Sequence, residues 1–533
     1  MIHKLHHLLP VDDYADPVNA ATTPSGTPSE RPPVPSATAA GDTGPIGSGH
    51  PAPPTGSSRS FRSFRSSRPG RTVRTSRHDR EILALALPAF GALVAEPLFV
   101  IVDSAVVGHL GTAQLAGLGV AAALLTTAVN VFIFLAYATT AAVARRVGAG
   151  DLTAALKQGV DGIWLALLLG ALVVAGVLPA APALADLSGA SATAAPYATT
   201  YLRISALGIP AMLVVLAATG VLRGLQDTRT PLYVAVAGFT ANAGLNATLV
   251  YGAGLGIAGS AWGTVITQNA MAAVYLWVVV RGIRRQSGSG ALAGGHADGA
   301  GERAGDGTAR WRALLRPDAA GIRACARAGA PLLVRTVSLR AMLLLATVVA
   351  ARLGDTAIAA HQITLTVWSL LAFALDAIAI AGQAIIGRYL GADDAAGARA
   401  ACRRMIEWGV ACGVVLGVLV ALARPLIGPA FSSDPAVQSA LSSALLVVAV
   451  GLPVTGVVCV LDGVLMGAGD GPYLAWSMLV TLAVFAPAAL AVPALGAGLA
   501  ALWGALTLMM ATRLAALWLR ARSGRWVVTG ATR

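Results

Sequence analysis

Residues 93–111, LVAEPLFVIVDSAVVGHLG, decide how the rest of the chain is interpreted. The stretch is apolar enough to cross a lipid bilayer, yet it contains two acids, Glu96 and Asp103, and no lysine or arginine. A carboxylate near the bilayer centre costs about 2.5–3.5 kcal/mol on insertion scales, so intramembrane acids are usually functional. The starting hypothesis is therefore a membrane span whose acids take part in the chemistry of the protein.

Composition indicates a polytopic membrane protein with the lipid bilayer as its main partner. Of 533 residues, 56% are hydrophobic and 12% are charged, with a mean hydropathy of +0.71. The net charge of +13 indicates membrane orientation and contact with anionic lipid. We expect no nucleic-acid partner, because no basic, aromatic-bearing soluble domain is present. The four cysteines have neither CxxC nor metal-ligand spacing, so we expect no metal and no cofactor.

Twelve apolar segments are longer than the ~20 residues that a membrane span requires. They cover roughly residues 82–107, 113–143, 157–180, 196–222, 231–252, 257–281, 323–351, 356–387, 402–423, 436–466, 472–493 and 497–520. Arginines concentrate in alternate loops, which predicts that those loops and both termini are cytoplasmic. The expected location is a bacterial-type plasma (inner) membrane, crossed many times.

The two halves of the chain align with each other, mostly at an offset of 243 residues. Aligned pairs include Pro88 and Pro331, Arg145 and Arg388, Gly148 and Gly391, and Gly224 and Gly467. An even number of spans in each half gives both halves the same orientation. The predicted fold class is thus an all-α polytopic membrane protein with twelve transmembrane helices in two pseudo-symmetric six-helix bundles.

The domain boundaries follow from the spans and from two stretches of low complexity. Residues 1–78 are rich in Pro, Ser, Thr and Gly and predict a disordered basic cytoplasmic tail. An N-lobe is expected over 79–282 and a C-lobe over 323–522. A cytoplasmic linker over 283–322 joins them, with a flexible Gly- and Ala-rich part at roughly 286–309. Residues 523–533 form a cytoplasmic C-terminal tail.

Several motifs resemble those of multidrug and toxic compound extrusion (MATE) transporters of the DinF-type branch, over about residues 80–520. They are EPLFVIVDSAVVGHLG (96–111), ARRVGAGD (144–151), RGLQDTRTP (223–231), NAGLNATLVYGAGLGIAGSAWGTVITQ (242–268), IAAHQITLTVWSLLAFALDAIAIAGQAIIGRYLGADD (358–394) and LMGAGDGP (465–472). The resemblance implies two bundles around a V-shaped cavity, and export of hydrophobic, often cationic compounds against inward H⁺ or Na⁺ flow. It implies no enzymatic activity, and the sequence shows no nucleophile–base pair or P-loop.

Asp103 is the leading candidate for ion coupling, and H⁺ is a more plausible coupling ion than Na⁺. It matches the helix-1 aspartate that the resemblance identifies as a protonation site. Glu96 lies seven residues earlier on the same helix face. Asn242 and Asn246, four residues apart, share a face from which an amide could hydrogen-bond the carboxyl. The family often carries an acid where this chain has Val250. Asp103 is therefore the stronger candidate for ion coupling.

Two further features of the first span and the cavity are expected. Pro88 and Pro97 each remove a backbone hydrogen bond and predict a bend in the first helix. The resemblance places that bend at Pro88. Aromatic and Met side chains would bind flat lipophilic cations with loose geometry. The proposed substrate wall consists of Phe99, Phe132, Tyr137, Met212, Trp368 and Phe373.

Polar residues of the C-lobe allow more than one interpretation. They are Arg335, Arg340, His361, Gln362, Asp376 and Gln383. Asp376 either takes part in transport or neutralises Arg335 or Arg340. Likewise, an arginine such as Arg203, Arg335 or Arg340 could neutralise Asp103, which would make that acid structural.

Three function classes remain open at this stage. The favoured one is a secondary efflux transporter that acts as a monomer on small hydrophobic or cationic substrates. A lipid-linked precursor flippase of the same superfamily would use Arg203, Arg335 and Arg340 to hold a pyrophosphate. A non-transporting membrane scaffold would need neither a cavity-facing acid nor a two-lobed repeat.

Overall fold

A computed structural model describes the backbone of residues 77–293 and 306–532. Within these ranges, the side chains of residues 77, 96, 98–102, 286–293 and 306–310 are not described. The predicted tail over 1–78 therefore lies almost wholly outside the described residues, as does the middle of the linker. The side chains of Glu96 and Phe99 lie outside them as well.

The described chain is almost entirely helical, as the run of apolar segments predicts. The N-lobe contains α1 (Arg77–Gly108), α2 (Thr112–Val131), α3 (Phe134–Gly148), α4 (Leu152–Leu187), α5 (Ala195–Ala206), α6 (Ile209–Gly224), α7 (Arg229–Ala247) and α8 (Gly256–Ala293). A π-helical turn, Thr248–Gly252, follows α7. Short α9 (Asp306–Leu315) lies in the linker. The C-lobe contains α10 (Ala319–Arg352), α11 (Asp355–Gly391), α12 (Ala395–Phe431), α13 (Pro435–Gly467), α14 (Gly471–Ala494) and α15 (Leu499–Ser523).

Each of the twelve predicted spans coincides with one of these helices or with a broken pair. Among the described residues, nine helical segments are long and apolar enough to cross a membrane, or ten if the bent pair α5–α6 is one span. That pair bends by 51° at residues 207–208, and Pro210 is the second residue of α6. The first of the nine segments, Thr112–Gly148, consists of α2 and α3 with a break at Phe132 and Ile133 between them. Helices α1 and α7, outside that count, occupy the first and fifth predicted spans.

The internal repeat is visible in the helix boundaries. Helices α3 and α11 end at Gly148 and Gly391, and α6 and α13 end at Gly224 and Gly467, at the same offset of 243 residues. The repeat is not perfect, because α13 runs unbroken through Pro453 where α5–α6 breaks. Small residues allow close packing of these helices without a large hydrophobic driving force. Within the C-lobe, α13 is the central helix, and 67% of the residues in its most apolar stretch are buried.

Cross-lobe hydrogen bonds cluster at one end of the molecule. We call it the arginine-rich end; it comprises the ends of α3 and α11 and the loops after α6 and α13. The contacts there include Arg388 to Glu81 and Arg404 to Asp79, the latter with Nε–Oδ1 at 2.6 Å. Trp164 of α4 donates its indole N–H to the carbonyl of Leu315 in the linker over 3.0 Å. The lobes are therefore held together at the end predicted to be cytoplasmic.

Candidate ion-coupling site

Asp103 lies deep in the N-lobe, on the part of α1 that faces α5, α7 and α8. Its side chain is only 7% exposed. The prolines Pro88 and Pro97 both lie inside α1, which is assigned as one continuous helix from Arg77 to Gly108. The predicted bend at either proline thus remains a prediction.

Three side chains donate hydrogen bonds to the Asp103 carboxyl. Asn246 Nδ2 lies 2.7 Å from Oδ1, and Ser260 Oγ lies 2.6 Å from the same oxygen. Tyr201 OH lies 3.4 Å from Oδ2, a longer and weaker bond. The donors come from α7, α8 and α5, so the site exists only when these helices are packed around α1.

Two local features bring the donors into place. The Asn246 side chain lies against Gly263 of α8, where a Cβ would collide with its Oδ1. This contact requires glycine and lets α7 and α8 approach closely. Asn242, one turn before Asn246, donates instead to Thr264 Oγ1 over 3.3 Å. Of the two predicted asparagines, only Asn246 contacts Asp103.

None of the three candidate arginines neutralises Asp103, so that alternative is wrong. Arg335 is ion-paired with Asp462 in the C-lobe. Arg203 and Arg340 have exposed side chains. Among the described residues, the carboxyl of Asp103 is satisfied by neutral donors alone. Such a site can exchange a proton without breaking an ion pair.

The position that carries an acid in many relatives of the resemblance is apolar here. Val250 lies in the π-helical turn after α7 and is 2% exposed. The described part of the site therefore contains one carboxyl group. The side chain of Glu96, the other acid of this span, is not described.

Ser260 and Tyr201 were missed by reasoning from the sequence. Ser260 lies inside the quoted motif GIAGSAWG, where its hydroxyl resembles the small packing residues around it. Tyr201 lies in none of the quoted motifs. Both could have been found only from the register of α5 and α8 against α1.

The C-lobe contains a buried ionic cluster in place of the predicted Asp376–Arg335 pair. Arg335 pairs with Asp462, and Arg513 Nη2 donates to Asp462 Oδ2 over 2.8 Å. All three side chains are less than 10% exposed. Asp376 is half-buried and takes part in neither of these ion pairs. The acid that forms an ion pair with Arg335 is therefore Asp462 and not Asp376, and Asp462 does not pair with Arg340.

Tyr137 connects the two lobes near this cluster. The Gln383 amide donates to the Tyr137 carbonyl over 2.6 Å, and the Arg335 guanidinium lies 6.0 Å from the Tyr137 ring centroid. Tyr137 thus lies at the boundary between the lobes, and its role in the substrate wall stays a prediction. His361 is fully buried with Nε2 3.3 Å from Thr347 Oγ1, which is a packing environment.

The other predicted wall residues whose side chains are described have contacts of their own, and their common role in a substrate wall stays a prediction. Phe132 lies against Phe134, with ring centroids 6.4 Å apart. Met212 accepts a hydrogen bond from Gln268 over 3.5 Å within the N-lobe. Trp368 lines a cavity whose described lining comes from the C-lobe alone. Phe373 is half-buried, and Gln362 is exposed.

The run of long apolar helices in two repeated lobes defines an integral membrane protein. Comparison with known proteins gives its family. The MatE family model matches residues 88–248 and 331–492, one segment in each lobe. The chain belongs to the MATE family, whose members are transporters and not enzymes.

Relatives in plants and bacteria match over most of the chain. Protein DETOXIFICATION 44, chloroplastic, of Arabidopsis thaliana is 32% identical, covering 84% of this chain and 83% of the relative. DNA damage-inducible protein F of Escherichia coli K12 is also 32% identical, covering 84% and 94%. This agrees with the resemblance to the DinF-type branch.

Solved structures share the fold at lower identity. A MOP superfamily transporter from Pyrococcus furiosus superposes with a TM-score of 0.72 at 20% identity, over 84% of this chain and 95% of that one. An outward-facing multidrug resistance MATE family transporter gives a TM-score of 0.70 at 20% identity, with the same coverage. These likenesses establish the fold of the two lobes.

Proposed function

We propose that this chain exports small lipophilic compounds, including cations, in exchange for protons, and that Asp103 carries the proton. The observation that supports this most directly is the environment of its carboxyl. It is buried, it has no basic partner among the described residues, and it is held by three neutral donors. Burial disfavours the charged form, while the hydrogen bonds favour it. Small movements of the donors can therefore shift the balance.

The donors link proton binding to the arrangement of the N-lobe. Ser260 and Asn246 both donate to Oδ1, so both bonds are strongest when Asp103 is ionised. Protonation weakens them and frees α7 and α8 to shift relative to α1. A substrate that prefers one arrangement would then alter the proton affinity of Asp103, because linkage between two binding events is reciprocal.

The names of relatives and the side chains at the lobe boundary support the proposed substrate class. Some relatives are named probable multidrug resistance proteins, such as NorM of Xanthomonas campestris. An ionised Asp103 would attract a lipophilic cation after its proton has left. Aromatic side chains such as Tyr137 at the lobe boundary would provide dispersion and cation–π contacts.

The flippase alternative is less well supported by the arrangement of arginines. A pyrophosphate site would need Arg203, Arg335 and Arg340 to converge. Arg335 is held by Asp462, and Arg203 and Arg340 lie on different lobes with exposed side chains. A scaffold function would leave a buried, unpaired acid unexplained.

Efflux in inverted membrane vesicles tests the proposal. With an imposed pH gradient, vesicles containing the wild-type chain should accumulate ethidium, and Asp103→Asn should abolish this accumulation at equal expression. Asp186→Asn is a matched control, because Asp186 is an exposed acid on α4. Equal accumulation by Asp103→Asn and wild type would overturn the assignment.

A further inference from the structure

Two arginines placed at equivalent positions by the repeat reach across the lobes at the arginine-rich end. Arg388 of the C-lobe donates from Nη1 to Gln226 Oε1 over 2.9 Å, in the N-lobe loop after α6. Arg145 of the N-lobe donates from Nη2 to the carbonyl oxygen of Ala468 over 2.9 Å, in the C-lobe loop after α13. Each arginine therefore joins its own lobe to the corresponding loop of the other lobe.

The C-terminal segment adds to only one of these contacts. Helix α15 ends at Ser523, and Gly524, with φ of 67°, reverses the chain direction. Trp526 anchors the returning segment, since it is 2% exposed and donates its indole N–H to the Ala521 carbonyl over 3.0 Å. We call residues 524–530 the C-terminal strap.

The strap ends on Arg145. The guanidinium donates to the carbonyl of Val528 over 2.7 Å and to that of Gly530 over 3.0 Å. The Gly530 N–H donates to the Leu390 carbonyl at the end of α11 over 2.9 Å. Gly530 has φ of 108°, a conformation that favours glycine, and this lets it serve both partners.

The strap belongs to the C-lobe, whereas Arg145 belongs to the N-lobe. The strap follows α15, packs through Trp526 and bonds to α11, so it must move with the C-lobe. Separating the lobes at this end would pull one guanidinium, 3% exposed, away from three C-lobe carbonyls. Hydrogen bonds from a charged group are stronger than those between neutral groups, so the contact favours the closed arrangement.

We propose that the C-terminal strap and Arg145 form a latch that holds the arginine-rich end closed and sets the balance between the two access states. This inference rests on the alternating-access function proposed above. The latch is asymmetric, because the repeat-related Arg388 binds a side chain and an acid of α1 instead of a chain terminus. Removing the strap should shift the resting equilibrium towards opening at this end and leave the Asp103 site intact.

Distance measurements between spin labels test the latch without any transport assay. Thr153 and Ala396 are exposed, and each is the second residue of its helix, α4 and α12. Labels would be attached to cysteines at these positions, with the four native cysteines replaced by alanine. The parent should show one dominant distance. Deletion of 527–533 should raise the ratio of a longer distance to the dominant one by about tenfold or more, the change that 1.4 kcal/mol produces.

Three further variants complete the test. Arg145→Gln should produce the same shift as the deletion. Gly530→Ala should shift the distances in the same direction. It keeps the full chain length, so it tests the latch even if the shortened chain fails to fold. Thr529→Ala should match the parent, because the strap binds Arg145 through main-chain carbonyls.

Unchanged distances in folded Arg145→Gln and Gly530→Ala proteins would overturn the latch. The readout is independent of proton coupling, so the two proposals can fail separately. If Asp103→Asn transports normally while the latch variants shift the distances, the latch stands and the coupling proposal falls. If Asp103→Asn abolishes transport while the latch variants leave the distances unchanged, only the latch proposal falls.

Discussion

Gly148 and Gly391 lie where α3 and α11 cross, and each is pressed against the main chain of the other helix. A Cβ on Gly148 would collide with the carbonyl oxygen of Arg388, and a Cβ on Gly391 with that of Arg145. The repeat relates the two glycines, so the same contact between a glycine and a main-chain carbonyl occurs once in each direction. This crossing brings Arg145 and Arg388 within reach of the opposite lobe.

Alanine at Gly391 should force the lobes apart at the arginine-rich end. The added methyl would meet main-chain atoms of α3, which cannot rotate away as a flexible side chain can. We expect the longer Thr153–Ala396 label distance to become dominant, together with a lower melting temperature in detergent. Gly176→Ala is the control, since that helical glycine has no neighbour within 4 Å of the added carbon. Identical behaviour of the two variants would show that the crossing does not hold the lobes together.

Loss of Asp462 should destabilise the protein far more than loss of Asp376. Asp462→Asn removes the ion-pair partner of the buried Arg335 and Arg513, and breaking a buried ion pair costs about 3–5 kcal/mol. Asp376→Asn removes a half-buried acid outside these ion pairs. Thermal unfolding of the purified variants in one detergent compares them directly. A larger loss of stability in Asp376→Asn would contradict the arrangement of this cluster.

Ser260→Ala should shift the pH dependence of exchange and spare the fold. Its hydroxyl donates to the carboxylate of Asp103 over 2.6 Å, and without it the ionised form is less favoured. Proton release should then require a higher pH, by roughly half to one unit for a bond of about 1 kcal/mol. The midpoint would be read from ethidium efflux across a pH series. Thr267→Val, which removes another buried hydroxyl of α8, should leave the midpoint in place.

Exchange of one proton for one monovalent cation should be electroneutral. A pH gradient should then sustain ethidium accumulation of about tenfold per pH unit. A membrane potential set with valinomycin and K⁺ at equal pH should sustain none. Proteoliposomes containing the purified chain allow both gradients to be imposed separately. Accumulation driven by the potential alone would indicate a different stoichiometry.

The sequence was sufficient to predict the repeated helical fold and to single out Asp103 as an acid within an apolar span, but not the partners of buried charges. The two halves carry matching glycines and arginines at a constant offset, and Asp103 interrupts an apolar run, so both features are local in the chain. Asp462 also interrupts an apolar run, VVCVLDGVLMG (457–467), and the argument applied to Asp103 would have identified it. Its partners Arg335 and Arg513 lie 127 and 51 residues away, so their pairing depends on helix packing.

The contacts of the C-terminal strap were equally hidden from the sequence. Val528 and Gly530 bind Arg145 through main-chain carbonyls, which every residue possesses and no motif marks. Gly524 and Gly530 indicated at most that turns were possible. The direction of the returning chain is determined by burial of Trp526, which only the packed structure reveals.

Proton release by the purified protein tests the central claim most directly. Ethidium added to wild-type protein in weakly buffered detergent solution should release close to one proton for each ethidium bound, followed with a pH-indicator dye. Asp103→Asn should bind ethidium and release none, whereas the control Asp186→Asn should behave as wild type. Equal proton release by Asp103→Asn and wild type would contradict the assignment of Asp103 as the proton carrier.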